Sequence, residues 1–160
     1  GQDKGLVRLT ADGPALVRVV ADLYRSLAIP VLIVTLEDRA PDYMDALADA
    51  SGVRVVTGGP GGDTARTLVL ARKALEGEPV THFWAHPVDL PAVTPETLGQ
   101  LLEESGRHPD EVVRPAWQGK PGHPVALPAG LIADVELLTG WREKPLRELL
   151  GDRFSPAPQR

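Results

Sequence analysis

Apolar residues recur along this chain with two different spacings, and the spacings predict its secondary structure. Between residues 13 and 28 they return every three or four positions, which is the period of a helix with one buried stripe. Residues 31–34 are instead a continuous apolar run, which is typical of a strand buried on both faces. Residues 41–50 are a second predicted helix, and residues 53–56 a second strand. Three side chains of the second helix are predicted to face the core: Tyr43, Met44 and Leu47.

The same alternation continues to the carboxyl end of the chain. Strand and helix signals follow one another throughout, which indicates an α/β fold with helices on both faces of a mainly parallel sheet. No repeat or composition break divides the chain, so we predict a single domain over residues 1–160. The further predicted helices cover residues 65–75, 95–105, 128–139 and 145–150, and the further predicted strands lie around Phe83 and at residues 111–115 and 125–127.

Composition excludes several classes of function. The formal net charge of -5 argues against a general nucleic-acid-binding surface, which needs clustered Lys and Arg. No apolar run approaches the roughly 20 residues of a membrane-spanning helix. The chain has no cysteine, which excludes disulfides, thiolate zinc sites and cysteine nucleophiles. We therefore expect a cytoplasmic protein whose partners are small molecules, and the sequence leaves its oligomeric state open.

Asp89 is the first candidate for chemistry. It follows the short apolar run around Phe83 and lies between Pro87 and Pro91. Because open α/β sheets bind ligands beyond the carboxyl ends of their strands, this position favours a metal-binding carboxylate. The alternative is a capping role, since Asp often satisfies free backbone N–H groups where a strand runs into a loop.

A glycine-rich stretch is the second candidate. Residues 58–62 contain four glycines and precede the predicted helix at residues 65–75. Such a turn, which includes Gly62, lets backbone amides approach an anion at the positive end of a helix. A plain loop is an equal alternative, because neither dinucleotide-binding nor P-loop spacing is met.

Three stretches resemble motifs of one known family, and they follow one another in that family's order. Residues 1–7, Gly-Gln-Asp-Lys followed by Gly-Leu-Val, are similar to the end of its signature loop. Residues 86–91 with Thr-Pro-Glu-Thr at 94–97 resemble its Asp-x-Pro motif and the following helix. Residues 122–125 resemble its Gly-His-Pro-Val turn. The chain thus resembles the MobA-like nucleotidyltransferases, which join CTP or GTP to molybdopterin, and this resemblance implies a three-layer Rossmann-like domain of the nucleotide-diphospho-sugar transferase type.

The resemblance also implies roles for individual residues. Lys4 would contact nucleotide phosphates, Asp89 would hold Mg²⁺, and His123 would lie at the acceptor. Arg66 and Thr67 fall near the family's base-contacting turn. From the residues alone, an exposed terminal lysine is the favoured interpretation of Lys4, and His123 could simply hydrogen-bond within its own turn.

The reaction that the resemblance implies is transfer of a nucleoside monophosphate from CTP or GTP to a phosphorylated acceptor, most simply molybdopterin, with release of pyrophosphate. Two parts of the family pattern, a Gly-Gly phosphate loop and a closing acidic segment, would lie before Gly1 and after Arg160. We therefore expect a trimmed domain or a form unable to catalyse. The alternatives are a non-catalytic nucleotide- or partner-binding module of the same fold and a sugar-phosphate nucleotidyltransferase.

Overall fold

The computed structural model describes residues 3–58, 64–138, 140–142 and 144–151. Contacts between residues group the chain into two compact units, one comprising Gly1–Pro60 with Pro87–Gly99 and the other Gly61–His86 with Gln100–Arg160. The single domain over residues 1–160 stays a prediction. Of the helices that the structure describes, none combines the length and the apolar character that crossing a bilayer requires.

The first unit is built on a pair of parallel strands. Its strands β1 and β2 run in register from Val31 opposite Val53 to Leu36 opposite Gly58. A 3₁₀ turn precedes α1, and a second 3₁₀ turn leads into α2. In chain order the elements are the turn Lys4–Leu6, α1 (Leu16–Arg25), β1 (Val31–Leu36), the turn Glu37–Arg39, α2 (Ala40–Ala46) and β2 (Val53–Gly58).

One apolar cluster holds the first unit together. Helix α1 has a buried face, as the spacing of three and four predicts, but the residues that it contributes to this cluster are Val17 and Ala21. Tyr43 of α2 and Leu47, the residue that follows α2, are buried as expected. Met44 is 58% exposed, so its predicted core position is wrong. The side chains of β1 are half-buried, whereas burial on both faces was predicted. The buried members of the cluster are Ala15, Val17, Ala21, Tyr43 and Leu47, with Leu6, Val31, Ile33, Val53, Val55 and Val88 among the partly buried side chains packed against them.

The second unit is built on an antiparallel strand pair. Strand β3 pairs with β6 from His82 opposite Pro128 to Ala85 opposite Val125. All four residues of β6 are buried. Its elements are α3 (Thr64–Ala74), β3 (His82–Ala85), β4 (Ala116–Trp117), β5 (Lys120–Pro121), β6 (Val125–Pro128), α5 (Ala129–Val135) and α6 (Leu146–Leu150), while α4 (Pro95–Arg107) includes residues of both units.

The sheet differs from the expected one. In the described part of the chain one strand pair, β1 with β2, is parallel, whereas β3 with β6 and β4 with β5 are antiparallel. The expectation of a mainly parallel sheet is therefore wrong for these strands. The physical reason is that an apolar run has the same pattern in either direction, so the run at residues 125–127 predicts a strand but not its orientation. The α/β class holds, and the three-layer arrangement stays a prediction.

Candidate functional site

Two of the predicted site residues are in direct contact. The ammonium nitrogen Nζ of Lys4 lies 2.7 Å from Oδ2 of Asp89, although 85 positions separate them in sequence. Both residues belong to the first unit. The side chains are 73% and 41% exposed, so water and ligands can reach the pair. An exposed ion pair contributes little to the stability of a fold, on the order of 0–1 kcal/mol. Stability therefore does not explain why Lys4 and Asp89 are in contact.

The backbone beneath Lys4 is fixed by an acidic cap. Oδ1 of Asp3 accepts the Gly5 N–H at 3.0 Å and so closes the 3₁₀ turn Lys4–Leu6. The same oxygen accepts a hydrogen bond from the Tyr43 hydroxyl at 2.7 Å. Gly5 is buried, and a Cβ at this position would lie 2.2 Å from the Tyr43 hydroxyl oxygen. The turn therefore lies directly on Tyr43, and only glycine allows that approach.

Asp89 lies in a short turn, four positions after β3 ends at Ala85. The Leu90 N–H donates to the Pro87 carbonyl at 3.1 Å, and the neighbouring Val88 packs against the apolar cluster of the first unit. The next helix has its own cap, because Oγ1 of Thr94 accepts the Thr97 N–H at 3.3 Å at the start of α4. Asp89 thus extends from a turn that the core anchors.

The partners of Lys4 and Tyr43 set their protonation states. The hydrogen bond with Asp89, together with the charge of that carboxylate, raises the pKa of Lys4 above its usual value. Burial raises the pKa of the Tyr43 hydroxyl, and its hydrogen bond to Asp3 raises the pKa further. At neutral pH Lys4 is therefore charged and Tyr43 is a neutral donor. The site presents a fixed carboxylate that already holds one positive charge.

The same carboxylate suits a hard divalent cation, which prefers oxygen ligands. The Lys4 ammonium group shows that a cation can lie against Oδ2 of Asp89. Across the residues that the structure describes, no group of three or more His, Asp or Glu side chains could hold a metal ion. A metal ion at Asp89 would therefore need oxygen ligands from substrate phosphates and water, as magnesium often has in nucleotide sites.

The other predicted residues belong to the second unit. Arg66 and Thr67 lie in the first turn of α3 and are half-buried. His123 is exposed in the turn between β5 and β6, where the Gly122 N–H donates to the Pro115 carbonyl at 2.8 Å. Gly62 lies outside the described residues, so the anion-binding interpretation of its turn stays a prediction. The roles assigned to these residues also stay predictions.

Two residues of the site were not predicted to belong to it. Asp3 had a local signal, because Asp commonly caps a turn and the next residue is the candidate Lys4. The hydrophobic pattern placed Tyr43 in the core but gave no sign that its hydroxyl would bond to a residue 40 positions away. A tyrosine at a predicted core position is nevertheless a reason to look for a polar partner, since a buried hydroxyl usually has one.

The chain as a whole is similar to known proteins in sequence and in structure. The sequence profile of the MobA-like NTP transferase domain family matches residues 1–157. No curated protein sequence matches the chain with significance.

Two solved proteins illustrate the structural similarity. One is Rv0371c of Mycobacterium tuberculosis H37Rv, which was solved alone and as a complex with manganese. Both structures are 25% identical to this chain, have a TM-score of 0.65 and cover 88% of it. The match covers 70% of the Rv0371c chain solved alone and 72% of the chain solved with manganese. The Methanothermobacter nucleotidyl transferase Mth528 is 25% identical with a TM-score of 0.67, over 92% of this chain and 67% of that one.

Proposed function

This chain belongs to the family of MobA-like NTP transferase domains, as the resemblance of its motifs predicted, and on that premise we propose that it moves a nucleoside monophosphate from CTP or GTP to a phosphorylated acceptor. The observation that carries the proposal is the contact between Lys4 and Asp89. It joins the residue expected to bind phosphate to the residue expected to bind metal, at an exposed position on a fixed backbone.

The proposed reaction is an in-line displacement. An oxygen of the acceptor phosphate forms a new bond to the α-phosphorus of the triphosphate. The bond between the α-phosphorus and the bridging oxygen breaks, and pyrophosphate leaves with the electron pair. Such a transfer requires the protein mainly to position the reactants and to place positive charge near the oxygens that become more negative.

Lys4 and Asp89 divide that task. The Lys4 ammonium group is a mobile point charge on a flexible stem, which suits the oxygens of a triphosphate. When a triphosphate binds, its phosphates offer Lys4 a second anionic partner, so Lys4 can leave Oδ2 of Asp89. The vacated carboxylate oxygen can then hold a divalent cation that enters with the nucleotide. The ion pair is, in this proposal, the resting state of the nucleotide site.

The metal ion that we propose is Mg²⁺ or a similar divalent cation. Asp89 would hold it, and it would supply positive charge against the triphosphate oxygens. Support comes from the oxygen chemistry of Asp89 and from the manganese in the related Rv0371c structure. For the second unit we keep the roles that the family resemblance implies, with Gly62, Arg66 and Thr67 toward the nucleotide and His123 toward the acceptor. Molybdopterin is the acceptor that we propose.

Calorimetry of the full-length protein with CTP, GTP, ATP and UTP in the presence of Mg²⁺ tests the nucleotide part. We expect one or both of CTP and GTP to bind, and Lys4→Met to weaken that binding about tenfold or more, because a charge-assisted contact to phosphate is lost. Lys144→Met is the matched control, since Lys144 also forms an exposed ion pair, at 3.1 Å from Glu148. Equal effects of the two substitutions, or no binding of any triphosphate, would contradict the proposal.

Pyrophosphate release with a panel of acceptors tests the second substrate. We expect turnover with molybdopterin and none with hexose 1-phosphates, which are the acceptors of a sugar-phosphate nucleotidyltransferase. In the same assay His123→Ala should raise the KM for the acceptor and leave the affinity for the triphosphate unchanged. A proportional loss for both substrates would remove His123 from the acceptor side.

A further inference from the structure

We infer that Tyr43 is a positioning residue for nucleotide binding, because its hydroxyl fixes Asp3 and thereby presents Lys4 to the triphosphate. The inference rests on the proposed function of Lys4 as the phosphate contact. Tyr43 is a core residue that need not touch any substrate atom, and the inference is that it nevertheless affects the affinity of the site for the triphosphate.

The first step is the polar contact itself. The Tyr43 hydroxyl donates to Oδ1 of Asp3 at 2.7 Å, and the same oxygen accepts the Gly5 N–H at 3.0 Å. Asp3 and Gly5 are the two neighbours of Lys4 in the chain. The hydrogen bonds therefore hold the backbone on both sides of Lys4, and one of their two donors comes from α2.

The second step is the close approach at Gly5. A Cβ built on Gly5 would lie 2.2 Å from the Tyr43 hydroxyl oxygen and 2.9 Å from Cζ of the ring. The end of the Tyr43 side chain thus occupies the space that any larger residue at position 5 would need. The turn that carries Lys4 is held by packing as well as by hydrogen bonds, and both come from the same side chain.

The third step is the burial of Tyr43 in a core against which the neighbour of Asp89 also packs. Tyr43 is 7% exposed and is a buried member of the apolar cluster of the first unit. Leu6, at the end of the turn that begins with Lys4, and Val88, next to Asp89, pack against that same cluster. One core therefore supports the backbone near both charged side chains, and Tyr43 is the member of it that bonds to the lysine turn.

The fourth step separates the hydroxyl from the ring. The ring alone would fill the core, as phenylalanine does, and a buried hydroxyl is costly unless it has a hydrogen-bond partner. In this protein the partner is the cap of the Lys4 turn. The hydroxyl therefore couples the core to the position of Lys4. Its removal should weaken triphosphate binding and leave the packing of the ring in the core nearly unchanged.

Calorimetry of the full-length protein with its preferred triphosphate and Mg²⁺ tests the inference. Tyr43→Phe keeps the ring and removes one hydrogen bond, so we expect the Kd to rise about three- to tenfold. Tyr24→Phe is the matched control, because Tyr24 is 5% exposed, lies on α1 in the same unit, and has a pKa raised by burial as that of Tyr43 is. It should leave the Kd unchanged. An equal change in the two variants would overturn the inference.

A double-mutant cycle shows whether Tyr43 acts through Lys4. In a Lys4→Met background, Tyr43→Phe should cause no further loss of affinity, since the group that it positions is already absent. The same fold-change in both backgrounds would mean that the hydroxyl acts on the fold in general and would overturn the inference. If Lys4→Met alone leaves the Kd unchanged, it is the proposed function that fails.

Asp3 provides a second route that leaves the core intact. Asp3→Asn keeps an acceptor oxygen and should stay within about twofold of the wild-type Kd, whereas Asp3→Ala should match or exceed the effect of Tyr43→Phe. This pair of variants remains informative if Tyr43→Phe folds poorly. A wild-type Kd for Asp3→Ala would overturn the inference.

Discussion

Two aspartates of the first unit form ion pairs of similar length and different purpose. Asp22 on α1 accepts hydrogen bonds from Arg18 at 2.8 Å and from Arg25, which lie four and three positions away on the same helix. Asp89 is paired at 2.7 Å with Lys4, 85 positions away. The first arrangement follows from helix periodicity, because residues three and four apart are neighbours on a helix surface. The second has no local cause.

The surroundings of the two pairs differ as well. The arginines that bind Asp22 reach further: Arg18 donates to the Ala48 carbonyl at 2.8 Å, and Arg25 donates to the Ser51 carbonyl at 2.7 Å. These bonds connect α1 to the segment after α2 and so belong to the architecture. The Lys4 side chain is 73% exposed and donates to the Asp89 carboxylate. The ion pairs of Asp22 thus support the fold, whereas the ion pair of Asp89 is, in our proposal, the unliganded state of the nucleotide site.

The largest expected effect comes from Asp89→Asn. Removing the charge that would anchor the metal should lower kcat by about 100- to 1,000-fold, the size of effect seen for other preorganised electrostatic groups. The melting temperature should remain near that of the wild type, because an exposed ion pair contributes little to stability. Steady-state pyrophosphate release and thermal unfolding measure the two quantities. Wild-type turnover in this variant would remove Asp89 from the catalytic site.

The second expected effect comes from Gly5→Ala. The added Cβ would lie 2.2 Å from the Tyr43 hydroxyl oxygen, so the turn or the helix must shift. We expect destabilisation of about 1–3 kcal/mol, as for other overpacked positions, together with weaker triphosphate binding. Urea unfolding and calorimetry on the same sample measure both changes.

Gly99→Ala is the matched control for that substitution. Gly99 lies within α4, and a Cβ there would meet no atom within 4 Å. Alanine in a helix interior should increase stability by up to about 1 kcal/mol and leave nucleotide affinity unchanged. If both alanine variants were neutral, the close contact between Gly5 and Tyr43 would have no energetic weight.

The difference between the two aspartates also explains how far the sequence could predict this protein. Elements with a strong period were predicted, including α1 with its buried face and α4. Strand direction was not, because the apolar run that became β6 carries no information about its orientation. Lys4 and Asp89 could be named from motifs one by one. Their contact depends on how distant segments pack, which local patterns do not contain.

The contact of Tyr43 with Asp3 marks the same limit more sharply. Periodicity placed the ring in the core correctly, since that choice depends only on hydrophobicity along α2. The hydroxyl bonds to a residue in a different element, and no spacing rule links the two positions. Tertiary packing alone joins this core tyrosine to the cap of the Lys4 turn.

The smallest expected effect comes from Asp22→Asn, and it tests the comparison from the side of the fold. Burial alone would raise the pKa of Asp22, but the hydrogen bonds from Arg18 and Arg25 and the charges of these arginines lower it below the usual 3.8. A group whose pKa is lowered by folding stabilises the protein at pH values above its unfolded pKa, and that contribution is lost as the pH falls through the folded pKa.

Because the Asp22 carboxylate is 44% exposed, we expect Asp22→Asn to lower the free energy of unfolding by only about 0.5 kcal/mol at pH 7. The gap from wild type should narrow as the pH falls below about 4 and should vanish once the pH lies below the folded pKa of Asp22, where Asp22 itself is protonated. Urea unfolding at pH 7 and pH 3 measures that gap, and calorimetry at pH 7 should show unchanged triphosphate affinity. Loss of nucleotide binding in this variant would mean that the two ion pairs share one role, which contradicts their separation into fold and site.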